Sequence, residues 1–230
     1  MGGNSMRAAR LYGPGQPLRI EWTSVPRPGS GEALIRVLAA GMCHTELHML
    51  DGVLNMGVTP LTPGHEVVGD VVEIHRPPHA GEDALAWRIG QRVVLYYYSP
   101  CGRCRYCATG SENLCPNITR QIGFTADGGY AEFLVAPTRS LVPLPDTLSD
   151  EEAVGLACGG ATAFHAARDI ARVQPGETAV IYGVGGVGFY LLQICKLAGA
   201  RVIAVGRTPE KLTLAAGLGA DACVNAAADD

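Results

Sequence analysis

Four cysteines in the order Cys101-Gly-Arg-Cys104-Arg-Tyr-Cys107, then seven residues, then Cys115 form the densest group of metal-binding side chains in the chain. Short Cys-x-x-Cys steps are the chelate turns from which a closed tetrahedral thiolate cage is built. Zinc is the metal that accepts four sulfur ligands without redox chemistry of its own. The alternative, a disulfide knot, suits small secreted chains rather than one of this size. A second motif, Gly183-Val-Gly185-Gly186-Val-Gly188, reads G-x-G-x-x-G. In such a turn the first glycine allows the tight bend, the second lets backbone approach a pyrophosphate, and the third permits a helix to pack closely on a strand. Gly183, Gly185, Gly186, Val187 and Gly188 are therefore the candidate cofactor contacts. An NAD-binding unit usually carries Asp or Glu about 20 residues further on, to hold the adenosine ribose. Here that place reads Gly206-Arg207-Thr208, with no carboxylate to repel a 2′-phosphate and a guanidinium able to grip one. The lean is to NADP, with NAD left open.

These groups need elements to position them. From Met6 to about Pro145, short runs rich in β-branched residues, such as Ala33–Leu38, Glu66–Ile74 and Gln91–Tyr96, alternate with Gly and Pro punctuation. They predict a twisted, barrel-like β domain, from which the polar segment Pro100–Pro116 projects as a surface lobe that metal organises. Ser149-Asp-Glu-Glu152 is a capping box opening a linking helix. After Pro175-Gly176 the pattern becomes strand, glycine turn, apolar helix from Val187 to Leu197, then the strand Arg201–Val205, one strand-helix-strand unit of a doubly wound parallel sheet. The fold class expected is a two-domain α+β and α/β protein, with a non-native remnant at 1–5 that takes no part in the fold, a zinc-binding domain at 6–160 and a dinucleotide-binding portion at 161–230. The roughly 50 residues after Ala179 suffice for two strands and the start of a third, where a complete doubly wound domain has six. The expectation is thus of a chain truncated at its C-terminus.

Composition narrows the function. The chain has 230 residues, 47% hydrophobic and 17% charged, with a net charge of −4. Mixed charge without a basic stripe argues against nucleic acid. No apolar run approaches the ~18 residues a bilayer span requires, and the N-terminus lacks a secretory pattern, so the expected setting is cytoplasmic and the ligand small. Cys195 and Cys223 lie in apolar segments and read as inert, buried core residues.

Three further segments contain chemistry-bearing side chains: Cys43-His44-Thr45-Glu46-Leu47-His48, Pro63-Gly64-His65-Glu66 and Cys158-Gly-Gly-Ala-Thr162. Spacing alone does not join them. With the cysteine lobe and the glycine turn, in this order, they resemble the zinc-dependent medium-chain alcohol dehydrogenases, and the resemblance runs from Met6 to Asp230. It implies a GroES-like β-barrel catalytic domain followed by a partial Rossmann domain. It further implies a catalytic zinc on Cys43, His65 and Cys158 with one open position, and a structural zinc on Cys101, Cys104, Cys107 and Cys115, two per chain. By the same resemblance Glu66 moderates the charge of the catalytic metal and Glu46 has a similar supporting role. Thr45 bonds the substrate oxygen, and His48 ends a proton relay. His44 faces the cofactor phosphates and Thr162 the nicotinamide, while Tyr97 lines the substrate pocket; aromatic residues on a strand also serve plain packing.

The implied reaction is reversible hydride transfer between an alcohol and NAD(P), giving an aldehyde or ketone, in a protein that is a homo-oligomer at full length. A competing reading is a truncated zinc-binding fragment that needs a partner chain or a missing C-terminal segment for activity. A zinc-free enone or quinone reductase of the same superfamily should lack Cys43, His65 and Cys158.

Overall fold

The computed structural model describes residues 4–54, 57–76 and 87–228. Residues 1–3 of the expected remnant lie outside the described residues, and Ser5 already opens the first strand, paired with Ser24. The chain divides into two compact units, residues 1–157 and 158–230.

In the first unit, β1 (Ser5–Arg10) and β2 (Arg19–Ser24) form an antiparallel hairpin. β3 (Glu32–Ala40) leads through a short turn to α1 (His44–Leu50), and β4 (Val67–His75) returns antiparallel beside β3. β5 (Arg92–Leu95) extends the sheet, and β6 (Tyr98–Ser99) begins the excursion into the cysteine lobe, which contains α2 (Arg105–Ala108). β7 (Arg120–Gln121) closes the excursion by pairing with β6. β8 (Phe133–Pro137) and β9 (Leu141–Pro143) complete an antiparallel five-stranded sheet of order β8-β3-β4-β5-β9. α3 (Asp150–Val154) ends the unit, its capping box formed as expected: Glu152 N–H donates to Ser149 Oγ and Ser149 N–H to the Glu152 carboxylate.

The sheet exists because its central strands are apolar on alternating positions and bury Ile35, Val67, Val71, Val93 and Leu134 in one cluster with Ile122 and Leu141. Each such side chain contributes about 1.5–3 kcal/mol on burial. A register shift between Val37 and Ala39 bends β3 where it crosses β4. Gly69 sits at that crossing, and a side chain there would collide with the Arg36 carbonyl.

The barrel suggested by the strand pattern does not close. The described sheets are open, and the β1–β2 hairpin is tied in only through single bridges, Ala8 to Ala131 and Leu11 to Leu61. Closure requires continuous pairing around the sheet. The two outer strands are short and end in Pro137 and Pro143, which have no amide hydrogen to offer a further strand.

The second unit begins with α4 (Gly159–Phe164). It continues through β10 (Thr178–Tyr182), α5 (Gly186–Leu197), β11 (Arg201–Gly206), α6 (Pro209–Gly217) and β12 (Ala222–Asn225). The strands pair parallel in the order β10-β11-β12. Ile181, Leu192, Val202, Ala204, Leu212 and Ala215 form its core. Cys195 is buried there as expected. Cys223 is not: it is exposed on the outer strand β12, where its thiol reaches the Leu212 carbonyl of α6 at 3.4 Å.

Candidate metal centres and cofactor turn

The lobe folds by short-range turns that converge on sulfur. Gly102 adopts φ +74° and turns the chain between Cys101 and Cys104. Cys104 sits in extended geometry at the N-terminus of α2, and that single turn of helix brings Cys107 beside it. A 3₁₀ turn over Glu112–Leu114 then delivers Cys115, and Arg139 pins this turn through a 2.8 Å ion pair with Glu112. Sγ to Sγ distances are 3.5 Å for Cys104–Cys107, 3.8 Å for Cys104–Cys115 and 3.9 Å for Cys101–Cys107. Four thiolates around a tetrahedral zinc with bonds of about 2.3 Å stand about 3.8 Å apart, so the donor set fits that ion. Backbone N–H groups of Arg103 and Cys104 hold the Cys101 thiol down at about 6, and the amide of Cys107 lowers Cys104. Burial and the neighbouring Cys104 push Cys107 up to about 12. The four sulfurs share too little space for all to carry charge without a cation.

A second donor group lies in the first unit. Cys43 ends the turn after β3 and begins α1, while His65 and Glu66 immediately precede β4. Candidate ligand atoms of Cys43, His65 and Glu66 all lie within 4.8 Å of one another. His65 is 1% exposed, with its ring packed against Tyr97 and Phe124 at centroid distances of 4.9 and 4.7 Å. Glu46 organises the group. One carboxylate oxygen accepts the Cys43 N–H at 2.9 Å, and the other lies 2.6 Å from His65 Nδ1. A carboxylate on Nδ1 leaves Nε2 as the ring nitrogen available to a metal. One thiol, one imidazole nitrogen and a neighbouring carboxylate are donors that suit zinc. Glu46 thus makes the supporting contact, whereas the Glu66 carboxylate stands within the donor group itself.

Close packing holds the two ligand-bearing segments together. A side chain at Gly41 would strike the Glu66 carboxylate, and Gly41 N–H donates to the Glu66 carbonyl at 2.9 Å. Gly64 has φ +97°, and its backbone lies flat against Tyr130. Thr45 Oγ1 is 3.3 Å from Cys43 Sγ. His44 and His48 occupy the outer face of α1, both exposed, with rings 4.8 Å apart and edge to face. Tyr97 is half-buried against His65 and Phe124. Cys158 begins the second unit at the N-terminus of α4, where its carbonyl accepts the N–H of Thr162 at 2.8 Å; Thr162 itself is exposed.

In the second unit the glycine turn has the anticipated form. Gly183 takes φ +103°, Gly185 caps α5, and Gly188 packs so closely over the Gly183 carbonyl that a Cβ would overlap it. Around Gly185 and Gly186 there is open space, and N–H groups at the start of α5 face it. The turn borders a cavity of about 510 Å³ also lined by Val205, Arg207, Thr208 and Lys211. Lys211 is a residue that sequence reasoning missed. Its signal was its place in the first turn of the helix following Arg207.

Tyr130 was missed too. Its Oη donates to the Gly41 carbonyl at 3.1 Å, and its N–H to the Pro63 carbonyl at 3.0 Å. Burial first, then the carboxylates of Glu46 and Glu66 and the Cys43 thiol, drive its phenol well above the usual range. The Gly128-Gly129 doublet before it marks a close backbone approach, and was the available signal.

Residues 29–146 match the family described as alcohol dehydrogenase GroES-like domain, and residues 186–230 match the one described as zinc-binding dehydrogenase. An alcohol dehydrogenase of Geobacillus stearothermophilus is 40% identical over 227 residues, covering 98% of this chain and 65% of the relative. An NAD-dependent alcohol dehydrogenase of Sulfurisphaera tokodaii is 36% identical over 235 residues, with the same coverage. A cobalt- and zinc-bound thermostable alcohol dehydrogenase from Pyrobaculum aerophilum superposes with a TM-score of 0.86 at 35% identity, over 96% of this chain and 66% of that one. The chain therefore spans about two thirds of the length of the relatives it matches, 65% for both curated ones. With donor sets and glycine turn in the order that family requires, the chain belongs to the zinc-binding medium-chain alcohol dehydrogenase family.

Proposed function

We propose that this chain carries the metal-binding and nucleotide-binding parts of an enzyme that moves hydride between an alcohol and a nicotinamide cofactor, forming an aldehyde or ketone. The observation that carries the reading is the Glu46 carboxylate bridging Cys43 and His65, which prepares one thiol and one Nε2 for a metal. The family resemblance supplies Cys158 as the third ligand and Glu66 as the nearby moderating carboxylate. Two zinc ions per chain follow, one in each donor group. Cys43 and His65 would hold a zinc ion that would supply Lewis-acid polarisation of the alcohol oxygen. Thr45 Oγ1 accepts the alcohol proton and His48 passes it to solvent. Tyr97 limits the substrate space, and the backbone of Gly183–Gly188 holds the cofactor pyrophosphate so that its ring is presented for transfer, with Thr162 beside it. Small alcohols and carbonyl compounds are the substrates of a cytoplasmic homo-oligomer, with neither nucleic acid nor membrane as partner. Among the described residues no helix is long and apolar enough to cross a membrane.

The test is alcohol-dependent reduction of NAD⁺ or NADP⁺ by the purified chain. Saturable turnover abolished by a chelator is expected. Binding of both zinc and nucleotide with no turnover on any alcohol would instead establish the non-catalytic fragment.

For the cofactor, the absence of a carboxylate at Gly206-Arg207-Thr208 and the two cations Arg207 and Lys211 at one cavity support NADP. His44 contributes a further contact to the phosphates. Arg207→Ala should weaken NADPH binding about ten- to a hundredfold, since charge-assisted hydrogen bonds are worth ~1.5–3 kcal/mol, and leave NADH nearly unchanged. Fluorescence titration of both reduced cofactors reads this directly. Equal losses for the two would turn the preference to NAD.

A further inference from the structure

Tyr130 touches backbone just before each of the two segments that carry Cys43 and His65, at Gly41, Pro63 and Gly64. Its amide bonds the Pro63 carbonyl, two residues before His65. The preceding Gly128 and Gly129 amides bond the carbonyls of Thr62 and Gly64 at 2.7 Å each, so Gly128–Tyr130 and Thr62–Gly64 run together as one double strand of irregular backbone. The Tyr130 ring lies against Gly64, which can accept it only because it has no side chain. From there the phenol crosses to the Gly41 carbonyl, two residues before Cys43. Gly41 in turn is joined to Glu66 through its amide.

Resting on the reading that a metal is held by Cys43 and His65, we propose that Tyr130 is a positioning residue for that metal, its hydroxyl holding the Cys43 turn at coordinating distance from His65. The phenol is well suited to the task. Its ring is fixed against Gly64, so its hydroxyl is aimed at the Gly41 carbonyl. It acts through the backbone of the Cys43 turn, so it need not touch substrate or metal. Loss of the hydroxyl removes one of the ties on that turn, beside those to Glu46 and Glu66, while leaving the ring packed on Gly64.

Tyr130→Phe is the direct test, since it deletes one oxygen and keeps the ring. Cobalt(II) titrated into the metal-free chain is followed by its visible ligand-field bands, in which an all-sulfur site and a mixed nitrogen and sulfur site differ. Tyr130→Phe should bind cobalt at the mixed site about three- to tenfold more weakly, the worth of one hydrogen bond, with a shifted band. Binding at the four-cysteine lobe should be unchanged, and far-ultraviolet circular dichroism should match the parent. Affinity and band both equal to the parent's would overturn the positioning role while leaving the metal site intact. Weakening at both sites alike, or an altered dichroism spectrum, would also overturn it, because the effect would then be general loss of structure. A parent chain that binds cobalt only at the lobe would overturn the metal reading, and the role of Tyr130 with it.

Discussion

His65→Ala is expected to lower bound zinc from about two ions per chain to about one, and to leave the lobe ion in place. The imidazole supplies the only nitrogen donor of its group, and among the described residues no other histidine joins that group. Loss of the ring also removes one of the two partners of Glu46. That carboxylate is 6% exposed, with His65 Nδ1 at 2.6 Å from one oxygen and the Cys43 N–H on the other. A buried polar group deprived of a partner costs ~1–3 kcal/mol in comparable cases, and the space left beside Tyr97 and Phe124 adds a cavity term. The variant should therefore melt at a lower temperature than the parent even when both are stripped of metal. Elemental analysis combined with thermal unfolding of the two metal-free proteins checks both halves. A variant that retains two zinc ions would remove His65 from the ligand set.

Cys104→Ala should affect the other ion and have a larger local consequence. Cys104 has the closest sulfur neighbours in the lobe, at 3.5 and 3.8 Å, so its removal opens the cage on two sides. Structural zinc sites in small domains contribute ~10–16 kcal/mol of apparent binding free energy, most of it spent on folding the segment that supplies the ligands. The lobe has a four-residue helix, a three-residue 3₁₀ turn and few buried apolar side chains. It therefore has little else to hold it together. Proteases should cut between residues 100 and 116 in the variant and not in the zinc-loaded parent, while the five-stranded sheet keeps its circular dichroism. Resistance equal to the parent's would show that the lobe folds without its metal. In a protein carrying both substitutions, zinc should fall to near zero.

The two sites differ in how much of them could be read from the sequence. The lobe is local: fifteen consecutive residues hold all four ligands, and turn geometry alone brings them together. The glycine turn is local as well, and its strand and helix followed from the apolar run on either side. Cys43 and His65 are 22 positions apart, and what joins them is the crossing of β3 and β4 at a bend that no periodicity announces. Resemblance to a family named these ligands; spacing could not. The division of labour between Glu46 and Glu66 was equally hidden, since it depends on which carboxylate reaches Nδ1. The GroES-like β domain was legible, but the openness of its described sheets was not, because alternation reports which residues face inward and not whether the outermost strands find each other. Cys223 was misread for a related reason: an apolar strand looks buried in sequence even when it is the last one in its sheet.

Because one carboxylate fastens both the amide of the thiol-bearing turn and the imidazole, the Cys43–His65 corner has its shape before any ion arrives. Metal should then enter and leave without the surrounding chain unfolding. On the two-zinc reading the corner is an exchangeable socket, and mild chelation followed by a spectroscopically visible ion should recharge it while zinc stays in the lobe.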